Sequence, residues 1–416
     1  MRTSIIIFFV FLSSGIFAQN DSTLTLEQCE SMFLKNNLSL MAGQFNIESA
    51  KAVIIQARLW ENPMFTTELN AYNPERKKYF DVGDVGQKAF GIEQLIYMGG
   101  KKRNEIALAR TNAEIAEQEF ADLLRNLKYQ LRKSYFSLYF DQLSYIDISK
   151  QINNLDSLIK TYTTQVQKGN LPLKDLVRLQ SLYFGFKQQK SDLYNSIIEN
   201  QRDLQVFTGS ANNINPKPSE GETMYFQAES TISVDSLKSK ALANRTDLLI
   251  AQKQVEAANT NVKWQKALAI PDVSLGVTYD QLGSAFKNEV SMSVGIPLPL
   301  WNRNQGNIKI AKAQKSQAEV QQTLTQNTVS NEVFAAYKKW QEAHENFNML
   351  NAQSTKNFDD VEAGVLKNFR DGNISLIEFT DFMESYTLSM VQFHQFAKNL
   401  VDACEEINFT TNSKIY

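Results

Sequence analysis

Long apolar runs are nearly absent from this chain of 416 residues. The run at Ile5–Leu12 is too short for a spanning helix, which needs about 20 residues. No later stretch does better, so a transmembrane helix is not expected. An excess of charge is missing as well, with 43 Lys plus Arg against 45 Asp plus Glu. Without a basic surplus to neutralise phosphates, nucleic acid is not an expected partner. Metal-binding and catalytic patterns are also missing. There is no GxxxxGK[ST], since "GGKKR" at Gly99–Arg103 lacks the spacing, and there is no HExxH or paired-cysteine motif. His344 and His394 stand isolated in helical stretches, and the methionines are scattered as gap fillers. An enzyme, a cofactor and a metal centre are therefore not expected. The two cysteines, Cys29 and Cys404, have no metal-site neighbours and read as two buried thiols or as one disulfide. Proline occurs only 8 times, and the long stretches between prolines are rich in Gln, Asn, Lys, Glu, Ala and Leu. That composition favours long helices.

The N-terminus reads as an export signal. Arg2 supplies the positive charge, Ile5–Leu12 the apolar core, and "SGIFA" a small-residue end before Gln19. Cleavage is expected after Ala18. No cysteine sits at that junction, so a lipid anchor is not expected. With no spanning helix, a β-barrel is the remaining way into a membrane.

The rest of the chain says the same thing twice. "KGNLPLKDL" at Lys168–Leu176 is echoed by "DGNISLIEF" at Asp371–Phe379. Upstream, Leu40 matches Leu248, Ala50 matches Ala258 and Pro63 matches Pro271 at a constant offset. Internal repetition sets the architecture. A signal peptide at 1–18, a first repeat at 19–208, a linker at 209–231 and a second repeat at 232–416 are expected. Each repeat reads as helices (about 25–40 and 41–60 in the first), two strands, a very long helix, a Gly-Asn turn and a last helix.

The strands are expected at about 62–72 and 86–97, and at about 271–281 and 288–299. "VSLGVTY" sets Val273, Leu275, Val277 and Tyr279 against Ser274, Gly276 and Thr278, and "VSMSVGIPL" alternates in the same way. Period-2 alternation means a half-buried sheet, in a soluble sandwich or in a tilted barrel. The helices discriminate. Lys101–Gln167 runs 67 residues without Pro or Gly, roughly 100 Å at 1.5 Å per residue. Its apolar residues step by three and four through Ile106, Ala109, Ala113, Ala116, Phe120, Leu123, Leu127, Leu131, Tyr135 and Leu138, as along a coiled-coil seam. Such helices need partners along their length. Four strands cannot close a barrel, which takes about eight, and lipid does not tolerate open edges. Strands that enter a membrane here must therefore come from several copies.

These residues resemble the TolC-type outer-membrane factors over nearly the whole mature chain. The match includes Gly169 followed by Asp175-Leu176, and Gly372 followed by Glu378-Phe379 with Glu in place of Asp. "VGIPLPLWNRNQG" at Val294–Gly306 resembles the strand-to-helix junction of the CzcC-type heavy-metal branch. The resemblance implies a mainly α protomer with a small β part. Three copies would form a twelve-stranded outer-membrane barrel on a periplasmic α-helical tunnel.

It also implies an exit duct for a tripartite efflux system with heavy-metal cations as cargo. Drugs, other organic solutes and type I protein secretion are the alternatives, and a soluble coiled-coil scaffold is the rival outside the family. The implied partners are a homotrimer, outer-membrane lipid, a periplasmic adaptor and an inner-membrane pump of the RND type. The adaptor would dock on the tips, at Gly169, Asn170, Leu171, Leu173 and Asp175 and at Gly372, Asn373, Ile374 and Leu376, with the apolar residues exposed. Pro297, Pro299, Trp301, Arg303 and Gly306 would form the barrel-to-helix junction. Trp60, Tyr97 and Trp301 suit an aromatic girdle or local packing. Glu378 and Asp381 share a helix face and would ring the narrowest aperture. Crowding there is expected to raise some of their pKa values.

Overall fold

In a computed structural model the described residues are 22–84, 86–219, 225–226, 233–283, 285–351 and 358–416. The expected signal peptide lies outside them. Each repeat opens on two short helices: α1 (Leu26–Asn36) and α2 (Leu38–Arg58), then α5 (Val234–Asn244) and α6 (Thr246–Leu268). The first break falls at Asn37 rather than near residue 40. Asn37 leaves the helical region, and its side chain accepts from the Leu40 backbone N–H at 3.1 Å. An asparagine that caps in this way ends one helix and starts the next. Its amide nitrogen also donates to the Phe207 carbonyl at 3.1 Å, which pins the joint to a distant helix.

The helical hairpins follow. α3 (Lys101–Gln167) has the expected limits, and α4 (Leu173–Thr208) returns beside it. In the second repeat the outgoing arm is described as two helices, α7 (Gln305–Asn351) and α8 (Phe358–Arg370), and α9 (Leu376–Thr411) returns. The long α3 is not a two-helix seam throughout. Ser134 to Leu138 are all buried, around the whole circumference of the helix. There α1, α4 and α9 pack around it with the ribbon of β1 (Ser22–Leu24) and β6 (Ile214–Pro216). The main core, with Phe33, Leu131, Tyr135, Leu138, Leu204 and Trp340, gathers at this level.

The stretch expected as linker is therefore partly built into the fold. β6 pairs in parallel with β1, and Gln201 clamps Ile214 through both its backbone groups, at 2.7 and 3.0 Å. Cys29 and Cys404 are buried helical thiols in the same core, and burial pushes the Cys404 thiol up to about 12. His394 is not isolated, since its Nε2 lies 2.8 Å from Asp147 Oδ2. His344 stacks on Trp340 with ring centroids 5.2 Å apart.

A second, smaller cluster lies at the hairpin ends. It joins Ile148, Ile152 and Leu155 of α3 to Leu179 and Phe186 of α4 and to Phe379 and Met383 of α9. Among the described residues no helix is long and apolar enough to cross a membrane.

Candidate channel wall and tunnel tips

The strands form one antiparallel sheet in the order β2 (Met64–Leu69), β5 (Gln87–Ile96), β7 (Val273–Leu282), β8 (Phe286–Gly295). Between β2 and β5 the chain forms a small hairpin of β3 (Tyr72–Asn73) and β4 (Lys78–Tyr79), so the first strand is shorter than expected. The two repeats meet along β5–β7, and β2 and β8 are left as open edges.

Register decides what the sheet can do. Phe65, Ile92, Val277 and Met292 stand opposite one another in a row, as do Thr67, Phe90, Tyr279 and Val290, and Gln94 with Leu275 and Val294. Phe90 stacks between Phe65 and Tyr279, at 6.5 Å from each. Because side chains alternate, the intervening rows take the other face. These rows hold Met64, Glu93, Gly276 and Ser293; Thr66, Gly91, Thr278 and Ser291; and Glu68, Ala89, Asp280 and Glu289. One face is apolar and the other is small, polar and acidic. The four carboxylates were not singled out from sequence. The first-repeat strands alternate less cleanly, and only register shows which residues share a row.

At the helix end of the sheet, β8 stops at Gly295, and Pro297 and Pro299 follow outside the ladder. This is earlier than the expected end near 299, because proline cannot donate to a ladder. The junction is a local knot. Arg303 Nε donates to the Pro299 carbonyl at 3.1 Å, and Gln305 Nε2 donates to the Trp301 carbonyl at 3.1 Å. Asn304 donates to the Gln265 carbonyl at 2.7 Å and so ties α7 to α6. A Cβ on Gly306 would meet open space, so nothing in this chain explains glycine there. Trp301 is 86% exposed. Trp60 and Tyr97 pack 5.8 Å apart, and the Tyr97 hydroxyl donates to Glu61 at 3.0 Å. Asp272, not foreseen, locks the two strand roots together. It accepts from the Met98 N–H at 2.9 Å and pairs with Lys101 at 2.7 Å.

At the other end the echoed motifs fold alike. Gly169 and Gly372 adopt φ of 78° and 76°, where an L side chain is strained. Asn170 N–H reaches back to the Gln165 carbonyl, and Asn373 N–H to the Asn368 carbonyl, at 2.9 and 2.8 Å. Gly169 N–H bonds the Val166 carbonyl and Gly372 N–H the Phe369 carbonyl, which completes a Schellman pair at each tip.

The starts of the return helices differ. Pro172 caps α4 without a side-chain bond. Ser375 and Glu378 form a capping box on α9: Ser375 N–H donates to Glu378 at 2.7 Å and Glu378 N–H to Ser375 Oγ at 3.2 Å. Those bonds, the backbone one first, hold the Glu378 carboxyl of the single chain below its ordinary range.

The tips are less apolar on the outside than expected. Leu173 is exposed, but Leu171 is half-buried, and Ile374 and Leu376 pack against the lower cluster. The Phe369 and Phe379 rings stack at 4.1 Å above them, which draws this turn inward. Val177 and Ile377, not foreseen, are further exposed apolar residues near the starts of the two return helices. Asp175 is half-buried, and Asn170 and Asn373 are exposed. Asp381 is exposed and lines a groove between α4 and α9 together with Glu384, Phe186 and Arg178. The arginine of the first hairpin thus faces the acids of the second. Among the described residues no cluster of His, Cys, Asp and Glu could hold a metal ion.

A two-faced open sheet rooted on long helical hairpins is the build of a subunit of an outer-membrane channel. The family model described as outer membrane efflux protein matches residues 31–210 and 237–411, and the chain belongs to that family, which transports and does not catalyse. The cobalt-zinc-cadmium resistance protein CzcC of Cupriavidus metallidurans is 25% identical over 300 residues, 71% of this chain and 68% of that protein. The outer membrane efflux protein BepC of Brucella suis is 20% identical over 334 residues, 74% of this chain and 68% of that protein. The crystal structure of the Campylobacter jejuni CmeC outer membrane channel superposes with a TM-score of 0.73 at 14% identity. It covers 94% of this chain and 87% of that one.

Proposed function

We propose that three copies of this chain close one twelve-stranded barrel in the outer membrane, with the helices forming a periplasmic tunnel below it. The observation that carries this reading is the sheet: four strands, two open edges, one apolar face for lipid and one polar face for a lumen. Closing the ring through neighbouring copies pairs every edge, as lipid requires. A monomer that stays fully folded in mild detergent at high dilution would sink this reading. Outer-membrane fractionation with heat-modifiable trimer bands supports it and rules against a soluble scaffold.

The duct serves a tripartite system. An adaptor's helical hairpin docks on the tips, and an RND-type inner-membrane pump chooses the cargo. Heavy-metal cations are the favoured cargo, on the likeness to CzcC and on the acid rows Glu68, Glu93, Asp280 and Glu289, which would attract cations in a lumen. Glu378 and Asp381 line the aperture, and Arg178 shares the groove between α4 and α9 with Asp381. Organic-solute export is the second reading, since the family description names efflux without a cargo. Deletion of the gene, followed by growth on cobalt, zinc and cadmium salts and on dyes and detergents, separates the two. Sensitivity confined to the organic compounds rejects metal export.

A further inference from the structure

The end of α9 and the middle of α3 form a half-open cavity of about 220 Å³ that the channel reading leaves unused. Arg125, Lys128, Arg132 and Lys414 line it against one carboxylate, Glu405. Asp122 pairs with Arg125, and Glu30 pairs with Lys128 and Arg132, so the cluster keeps an excess of one positive charge. Part of this charge suits the carbonyl end of α9, since Arg125 Nη1 donates to the Phe409 carbonyl at 3.1 Å. The other donors are not used up in that way. Lys414 is exposed and takes part in no ion pair among the described residues. Lys128 Nζ has only Glu30 beside it, at 3.1 Å, and its side chain is 44% exposed. The Tyr129 hydroxyl, on the same wall, makes no hydrogen bond to a described residue. Burial first, then Glu406, Asp402 and Glu405, pushes its pKa up to about 12, so it remains a donor. The Phe409 ring, also on the lining, is sandwiched between the Tyr129 ring at 4.4 Å and the Arg125 guanidinium at 4.3 Å.

We propose that this cavity binds a carboxylate group, with Lys128, Lys414 and the Tyr129 hydroxyl as its donors. An excess of one charge among the lining cations and their acids, with Glu406 and Asp402 also close by, suits a monoanion better than a phosphate dianion. In a periplasm-facing protein such groups come from two sources, the peptide stems of the cell wall and free organic acids. The cell-wall source rests on the outer-membrane reading above. Carboxylate binding itself does not.

The test is calorimetric titration of the full chain in detergent with N-acetylmuramyl dipeptide, with its carboxamide analogue and with acetate. Muramyl dipeptide is expected to bind, the carboxamide to bind about tenfold more weakly, and acetate to compete. Lys128→Ala and Lys414→Ala are each expected to weaken binding about tenfold. Lys312→Ala, on the exposed face of α7, leaves it unchanged. Binding of acetate without muramyl dipeptide supports the site and assigns it to free organic acids. Failure of both to bind, or binding indifferent to Lys128→Ala, Lys414→Ala and the carboxamide, overturns the proposal. Because binding is read in solution, it fails or succeeds independently of barrel closure and transport.

Discussion

Arg132 holds the level at which most elements converge, and its loss should be costly. Its Nε meets Glu30 of α1 at 2.5 Å, and its Nη1 meets both oxygens of Glu405 of α9 at 3.0 Å. Glu405 also accepts from the Tyr225 hydroxyl and from Asn408, and its side chain is 4% exposed. Burial works against the guanidinium charge, but Glu405 and then Glu30 more than offset it and raise the arginine's pKa. Arg132→Met removes the cation and leaves the Glu405 carboxylate buried. Breaking one side of a buried pair destabilises by about 3–5 kcal/mol.

Unfolding entropy of about 2.1 cal/mol/K per residue gives roughly 0.8 kcal/mol/K for a chain this long. Melting in detergent at fixed protein concentration should therefore fall by about 4–6 °C at pH 8. A carboxyl left alone takes up a proton more readily when folded, so the deficit should shrink as pH falls. Arg132→Met combined with Glu405→Gln should recover part of the loss, since no charge is then stranded. An Arg132→Met protein that melts within about 1 °C of the parent at pH 8 would refute the reasoning.

Gly169→Val and Gly372→Val should each destabilise a tip by about 1–2 kcal/mol, because a β-branched residue must adopt positive φ. Adaptor cross-linking measured in cells should fall, and normal cross-linking removes the tips from the docking site. Glu378→Gln with Asp381→Asn should lower cation selectivity in planar bilayers while keeping the cap, since Gln can replace Glu in a capping box. An unchanged reversal potential in an assembled trimer excludes them from the aperture. Burial chiefly, with Asp141 and Glu405 nearby, raises the Asp402 carboxyl to about 6, against the pull of Lys398 and Lys133. An acid whose folded value lies above its unfolded one binds its proton more tightly when folded. Stability is then highest below about 4 and falls as pH rises through about 6. Asp402→Asn should flatten that decline in chemical-denaturation curves, and a parent curve level between pH 4 and 7 contradicts it.

What could be read from the residues alone follows the range of the interactions. The limits of α3 were legible because Gly100 and Gly169 flank it and nothing between breaks a helix. The tips were legible for the same reason, since a Schellman end and an N-cap are each written within six residues. The break at Asn37 was not, because asparagine is also tolerated inside helices, and its preference here draws on a bond to Phe207. The β1–β6 ribbon, the Asp272 lock and the Arg132–Glu405 pair join residues too far apart for any local pattern to announce.

The two tips show where repetition stops being informative. Their turns are alike down to the asparagine side chains, which bond Gln165 and Asn368. Yet one return helix starts on a bare proline and the other on a capping box. Leu176 of the first hairpin is matched by Phe379 of the second, and that ring stacks on Phe369 and draws its turn into the core. Arg178 is matched by Asp381, so superposing the hairpins exchanges a cation for an anion across the groove they share. Repetition therefore preserves the turn, which backbone geometry demands. It frees the residues just beyond, where the two hairpins face each other and identical charges would repel.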